Sequence, residues 1–233
     1  YRGAGTGISC YQCLAADELI PLEIDGQIQV RRIGDVFTEA DDNDIKVDPY
    51  GVEFVKLRGR TPSINFDTLE GSLKEFRGVM RRRYRGRLLN IILESGRRIK
   101  VTPDHPVFVL ENGAFSDKSA RDLNIGDYLP VLKDTEFDVQ VRKIKKIEVE
   151  DYNGYVCDLV DVSDTHNFSN ALGVVTGNCC AYQFSATFEN DDEFDDKLYF
   201  KDGKHFSMGS WQVVSLNCPR AAYLARGDDE LLF

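Results

Sequence analysis

The sequence predicts an all-β protein. Short apolar runs are separated by Asp-Gly, Ser-Gly and Asn-Gly pairs, the strongest local signal for hairpin turns. Apolar residues at helical spacing are almost absent. A strand–turn–strand pattern recurs in two places, which suggests two similar β subunits about a pseudo-dyad.

Residues 1–12 carry Gly3, Gly5 and Gly7 with no apolar period and read as the tail of another domain, cut from something longer. Residues 19–24 and 27–30 flank Asp25-Gly26 and form a hairpin; residues 33–37 form a single helical turn. Residues 38–62 contain Asp41, Asp42, Asp44, Pro49, Gly51, Gly59 and Pro62 and read as a polar, loop-rich excursion. Residues 87–94 and 97–101 flank Ser95-Gly96, and residues 107–110 lead to Asn112-Gly113. A second helical turn is expected over 119–123. Residues 139–149 and 155–162 flank Asn153-Gly154 as a further hairpin. In the internal echo, Leu22 to Gly26 leads to Ile33-Gly34-Asp35, and Val109 to Gly113 leads to Ile125-Gly126-Asp127. After Asn178 the alternation thins, and residues 179–233 read as another piece of flanking protein.

Composition narrows the function. The chain has 233 residues, 42% of them hydrophobic, enough for a real core. A net charge of −10 argues against a polyanion partner, so no nucleic acid is expected. The basic run at 81–87, with Tyr84 inside it, offers a nucleic-acid contact but reads better as a solvated edge strand, a device against sheet-to-sheet pairing. No run of eighteen apolar residues appears, so no membrane partner is expected. Six cysteines (10, 13, 157, 179, 180 and 218) are too unevenly spaced for a disulfide scaffold, which points to a reducing cytoplasm. No cofactor and no metal are expected, and a monomer is. The alternative is a zinc or redox site built on Cys10-x-x-Cys13 with Cys179-Cys180, although adjacent cysteines chelate awkwardly. A catalytic fragment of a larger enzyme is a further alternative.

The chemistry lies at three places. Cys13 is a nucleophile that attacks the carbonyl of Gln12, forming a thioester. Thr102 and His105 stand three apart between Pro103 and Pro106, in a turn too proline-rich for a helix. There His105 presents a ring nitrogen to the scissile amide nitrogen, while Thr102 holds that bond in a strained geometry. Asp158, on a strand, passes a proton between steps, its pKa raised by partial burial. Cys179 takes the acyl group, and Asn178 then cyclises to release the segment between. The three-residue spacing makes Cys10 a candidate redox switch on Cys13, through a disulfide that removes the thiolate until it is reduced.

Residues 13–178 resemble an intein of the Hint fold. Four motifs carry the resemblance: Cys13-Leu14-Ala15-Ala16-Asp17, Thr102-Pro103-Asp104-His105-Pro106, Asp158-Leu159 with His166-Asn167-Phe168, and Asn178-Cys179. It implies a horseshoe of two β subunits with both splice junctions near its centre. It also implies autocatalytic excision of 13–178, a single-turnover reaction in cis with the flanking segments. No endonuclease motif interrupts the span, as in a mini-intein. Inteins commonly carry His before the terminal Asn, where this chain has Gly177. The resemblance therefore assigns the missing proton to His166 and expects Gly177→His to raise the yield. The joined flanks, with Gly209 to Arg220 downstream, resemble an anaerobic ribonucleoside-triphosphate reductase.

Overall fold

Two tight turns set the sheet geometry. Asp25 and Gly26 (φ 51° and 77°) and Asn112 and Gly113 (φ 51° and 82°) lie in the left-handed region that matches the twist of a two-residue hairpin. A computed structural model describes residues 12–47, 51–133 and 138–178. Its elements, in order, are β1 (Leu14–Ala15), β2 (Leu19–Ile24), β3 (Gln27–Arg32), a 3-10 turn (Ile33–Asp35), α1 (Val36–Glu39), β4 (Ile45–Val47), β5 (Glu53–Asn65) and β6 (Glu70–Leu93). They continue with β7 (Arg98–Val101), β8 (Pro106–Glu111), β9 (Ala114–Ser119), a 3-10 turn (Ala120–Asp122), β10 (Tyr128–Lys133), β11 (Asp138–Val160), β12 (Asn167–Ser169) and β13 (Val175–Gly177). The fold is all-β.

The main sheet runs β10-β11-β1-β7-β6-β5-β2-β3, with β4 on β5, and β11 also pairs β6. That last register rises on one strand as it falls on the other, from Lys146 opposite Ile92 to Val160 opposite Gly78, so the two strands run antiparallel. The main core lies on one side, with Leu14, Val101, Cys157 and Leu159 among its members. A smaller cluster holds Cys13, Ala15, Val156, Met80 and Leu88. The period-2 alternation explains the split, because successive side chains leave a strand on opposite faces.

The structure corrects four sequence readings. Asn153-Gly154 is no turn: β11 runs straight through it, with Asn153 opposite Arg85 and Gly154 opposite Tyr84. Gly154 serves a side chain instead, since a Cβ there would come within 2.8 Å of the Tyr152 hydroxyl. Gly86 does the same for Tyr84, and the two tyrosine rings face each other at 6.5 Å.

Residues 38–62 are not mainly loop, because β5 occupies 53–65 and pairs with β6. Nor is the basic run a simple edge. At Arg81, β6 has Glu53 on one side and Cys157 on the other. The Arg81 guanidinium sits over Phe37 at 4.4 Å and Tyr155 at 4.3 Å, and pairs with Glu53.

The internal echo holds for the hairpins, each followed by a 3-10 turn, but not for the Ile-Gly-Asp step. Ile33 is buried in the first 3-10 turn, whereas Ile125 is exposed beyond the second, and Gly126 turns at φ 105°.

Candidate active site

Cys13 directly precedes β1 and extends its pairing with β7. Its backbone N–H donates to Thr102 Oγ1 at 3.0 Å, and its carbonyl accepts from the Thr102 N–H at 2.9 Å and the Thr102 hydroxyl at 3.2 Å. Three bonds from one threonine thus bracket the cysteine, and both residues are fully buried. The scissile amide N–H of the Gln12–Cys13 bond donates to Thr102. The turn after Thr102 is pinned as well. His105 N–H donates to Thr102 O, Ala120 N–H to His105 O, and Arg121 N–H to Pro103 O.

His105 is fully buried, and its Nε2 lies 2.6 Å from Thr176 Oγ1. Nδ1 has no well-aligned partner. Burial lowers the ring's pKa to about 4, and the Gln12 backbone carbonyl acts weakly in the opposite direction. At neutral pH the imidazole is uncharged, beside the carbonyl that Cys13 would attack.

The other junction sits in the β12–β13 hairpin, where Asn167 pairs with Gly177 and Phe168 with Thr176. Asn178 continues this ladder by donating its N–H to His166 O at 2.8 Å. The Asn178 side chain is held on both ends. Its Nδ2 donates to Asp158 Oδ1 at 3.1 Å and Leu159 O at 2.7 Å, and its Oδ1 accepts from Val162 N–H at 3.2 Å. Asp158 is fully buried, between Val156 and Val160 along β11. Alternation turns it toward the same side as Cys13, while Cys157 turns into the main core, where burial raises its thiol pKa.

The two ends therefore converge. Leu14 lies opposite Cys157 in the β1–β11 ladder, the neighbouring Asp158 bonds Asn178, and His105 bonds Thr176. Two such steps place Cys13 and Asn178 on the order of 10 Å apart.

The intein splicing domain family matches residues 24–178. The chain belongs to that family. Among solved structures it is similar to the transcription factor IIB Mvu mini-intein, at 26% identity and a TM-score of 0.63, over 71% of this chain and 99% of that one. It is also similar to a KlbA intein precursor from Methanococcus jannaschii, at 27% identity and a TM-score of 0.60, over 71% and 90%. Curated relatives include an uncharacterized protein of Methanocaldococcus jannaschii, 29% identical over 171 residues, 71% of this chain and 23% of that protein. A DNA polymerase of a Thermococcus species is 29% identical over 134 residues, 57% of this chain and 8% of the polymerase. The chain thus spans less than a quarter of these relatives. A second family, anaerobic ribonucleoside-triphosphate reductase, matches residues 132–233.

Within the intein, the structure brings together Cys13, Thr102, His105, Asp158 and Asn178. His166 joins through its carbonyl alone: its backbone is left-handed (φ 48°) and its imidazole is exposed. Cys10 and Cys179, with Cys180, lie outside the described residues. No helix among the described residues is long and apolar enough to cross a membrane, and no metal-binding cluster of three or more His, Cys, Asp or Glu occurs among them.

Two residues escaped the sequence reading. Thr176 gave no signal, because its partner is 71 residues away. Asn167 was legible only as part of a motif. Its side chain accepts from Ser63 Oγ and Ile64 N–H and donates to Ile64 O and Thr165 O, tying the β12 end to β5.

Proposed function

We propose that residues 13–178 excise themselves and join residues 1–12 to 179–233. Cys13 Sγ attacks the Gln12 carbonyl carbon, the bond to the Cys13 nitrogen breaks, and the thiol proton ends on that nitrogen. The thiol of Cys179 then attacks the thioester, so the upstream chain moves to its sulfur and the Cys13 thiol is restored. Asn178 Nδ2 next attacks its own carbonyl carbon, which cuts the bond to Cys179 and closes a succinimide. The freed Cys179 amine finally displaces its own sulfur, leaving an ordinary peptide bond.

Asp158 supports the third step. A carboxylate accepting from Nδ2 is placed to take the proton that the amide nitrogen loses as it attacks. Thr102 holds the first scissile bond, and the neutral His105 sits in the turn that Thr102 begins, near the Gln12 backbone. The convergence of both junctions on β11 is the observation that carries the reading, since acyl hand-over requires close, oriented groups.

The host is read as an anaerobic ribonucleoside-triphosphate reductase, supported by the match across the downstream flank. The reaction needs only the chain itself, as a monomer in a reducing cytoplasm, without nucleic acid.

Mass spectrometry of the reduced, incubated chain tests the proposal. A 166-residue product ending in succinimide or Asn is expected, with a ligated 67-residue peptide. In Asn178→Ala, thioester or branched forms should accumulate. An intact chain after reduction and long incubation, with no thioester in either form, would overturn it.

A further inference from the structure

We propose that Thr176, on the strand leading to the downstream junction, is a positioning residue for the upstream one: its hydroxyl donates to His105 Nε2 and so places the ring proton on Nδ1, toward the Gln12 carbonyl. The inference rests on the splicing reading and adds a residue and a coupling to it.

A short contact favours the hydroxyl as the donor. The Thr176 Oγ1 to His105 Nε2 separation is 2.6 Å. O–H···O bonds run at about 2.5–3.0 Å, whereas N–H···O bonds rarely come closer than about 2.7 Å. The hydroxyl has one proton and a second acceptor, the Pro106 carbonyl, but at 3.3 Å. The proton goes to the nearer, stronger contact. Nε2 is then the acceptor, and a neutral imidazole that accepts at Nε2 carries its hydrogen at Nδ1.

That tautomer suits the first step. Nδ1 is the ring nitrogen with no aligned partner, and the Gln12 carbonyl is the backbone group that favours a proton on this ring. An N–H aimed at that carbonyl stabilises the oxyanion that grows as the thiol attacks. The contact need not be well aligned before reaction, because such bonds tighten only as the transition state forms.

Thr176 belongs to β13, two residues before Asn178, whereas His105 belongs to the turn that holds Cys13. Both side chains are fully buried. The upstream bond is activated only once the downstream strand is seated. A chain whose C-terminal strand has not docked keeps its upstream peptide bond intact.

The test uses the full chain carrying Asn178→Ala and Cys179→Ala, in which added dithiothreitol releases residues 1–12 through the thioester. Thr176→Val keeps the branched shape and removes the hydroxyl; it should slow release at least about tenfold. Thr176→Ser restores the hydroxyl and should bring the rate back toward the parent. Independently, 15N spectra of histidine-labelled chain should show His105 at pH 7 as the Nδ1–H tautomer, and as a mixture in Thr176→Val. An Nε2–H tautomer in the parent overturns the proposal, even if the Val variant does not fold. So does release from Thr176→Val at the parental rate, or equal failure of Val and Ser variants. A parent that releases nothing condemns the splicing reading instead, and the spectra still decide the tautomer.

Discussion

Pro106 fills the space in front of Gly177. A Cβ built at 177 would lie 2.7 Å from Pro106 Cγ, 2.9 Å from its Cβ and 3.1 Å from its carbonyl oxygen. A proline ring cannot rotate away, so a side chain there must push β13 off β8. Gly177→Ala and Gly177→His should both lower the spliced yield, the overpacking costing about 1–3 kcal/mol. This reverses the expectation from the resemblance, in which histidine at 177 would help. Product masses and thermal melts of the two variants check it; a gain in yield with histidine would sink the argument.

Asp158→Asn should uncouple the two ends. The amide keeps the volume but loses the basic oxygen that accepts from Asn178 Nδ2. Asn cyclisation is expected to slow by roughly 10²–10⁴-fold, the usual range for a positioned base. Branched or thioester species should build up while the melting temperature changes little. Time-resolved mass spectra decide it, and cyclisation at the parental rate would remove Asp158 from the third step.

Thr102→Val leaves the shape and takes away the hydroxyl that bonds both the N–H and the carbonyl of Cys13. Losing a buried hydrogen-bond partner costs about 1–3 kcal/mol. Thiol-induced release of residues 1–12 should fall, whereas cleavage at Asn178 should continue. Comparing the two cleavage rates in one variant makes the check, and parallel losses would mean general unfolding.

Acid should destabilise the fold partly through His105. Its folded pKa of about 4 lies below the ordinary 6.5, so the unfolded chain binds the extra proton first. Its full contribution is present above pH 6.5, falls as pH drops from 6.5 toward 4, and is gone below that. The total is roughly 3 kcal/mol, the shift converted at about 1.4 kcal/mol per unit. Urea unfolding at pH 7 and pH 4.5, in a chain held as the unspliced precursor by Cys13→Ala with Asn178→Ala, should show this loss. His105→Gln should show a smaller pH dependence by about that amount, and identical curves would refute the assignment.

Local chemistry made much of this fold readable. Asp25-Gly26 and Asn112-Gly113 turn the chain because their backbones prefer the left-handed region, whatever surrounds them. Asn153-Gly154 carries the same letters and was misread for a tertiary reason: β6 offers a long partner that keeps β11 extended, and Tyr152 needs the space over Gly154. The basic run failed likewise, because nothing nearby in sequence says that Phe37, Glu53 and Tyr155 will surround Arg81.

By itself the sequence determined the all-β class, most of the hairpins, and the residue types able to carry out acyl transfer. Those follow from turn preferences, alternation and side-chain reactivity, which act over a few residues. Only the tertiary structure decided which groups meet. Asp158 is drawn to Asn178, Thr102 to Cys13 and Thr176 to His105 across 20, 89 and 71 residues. Such pairings come from strand register and shared burial, and a buried polar group must find its partner wherever the sheet delivers one.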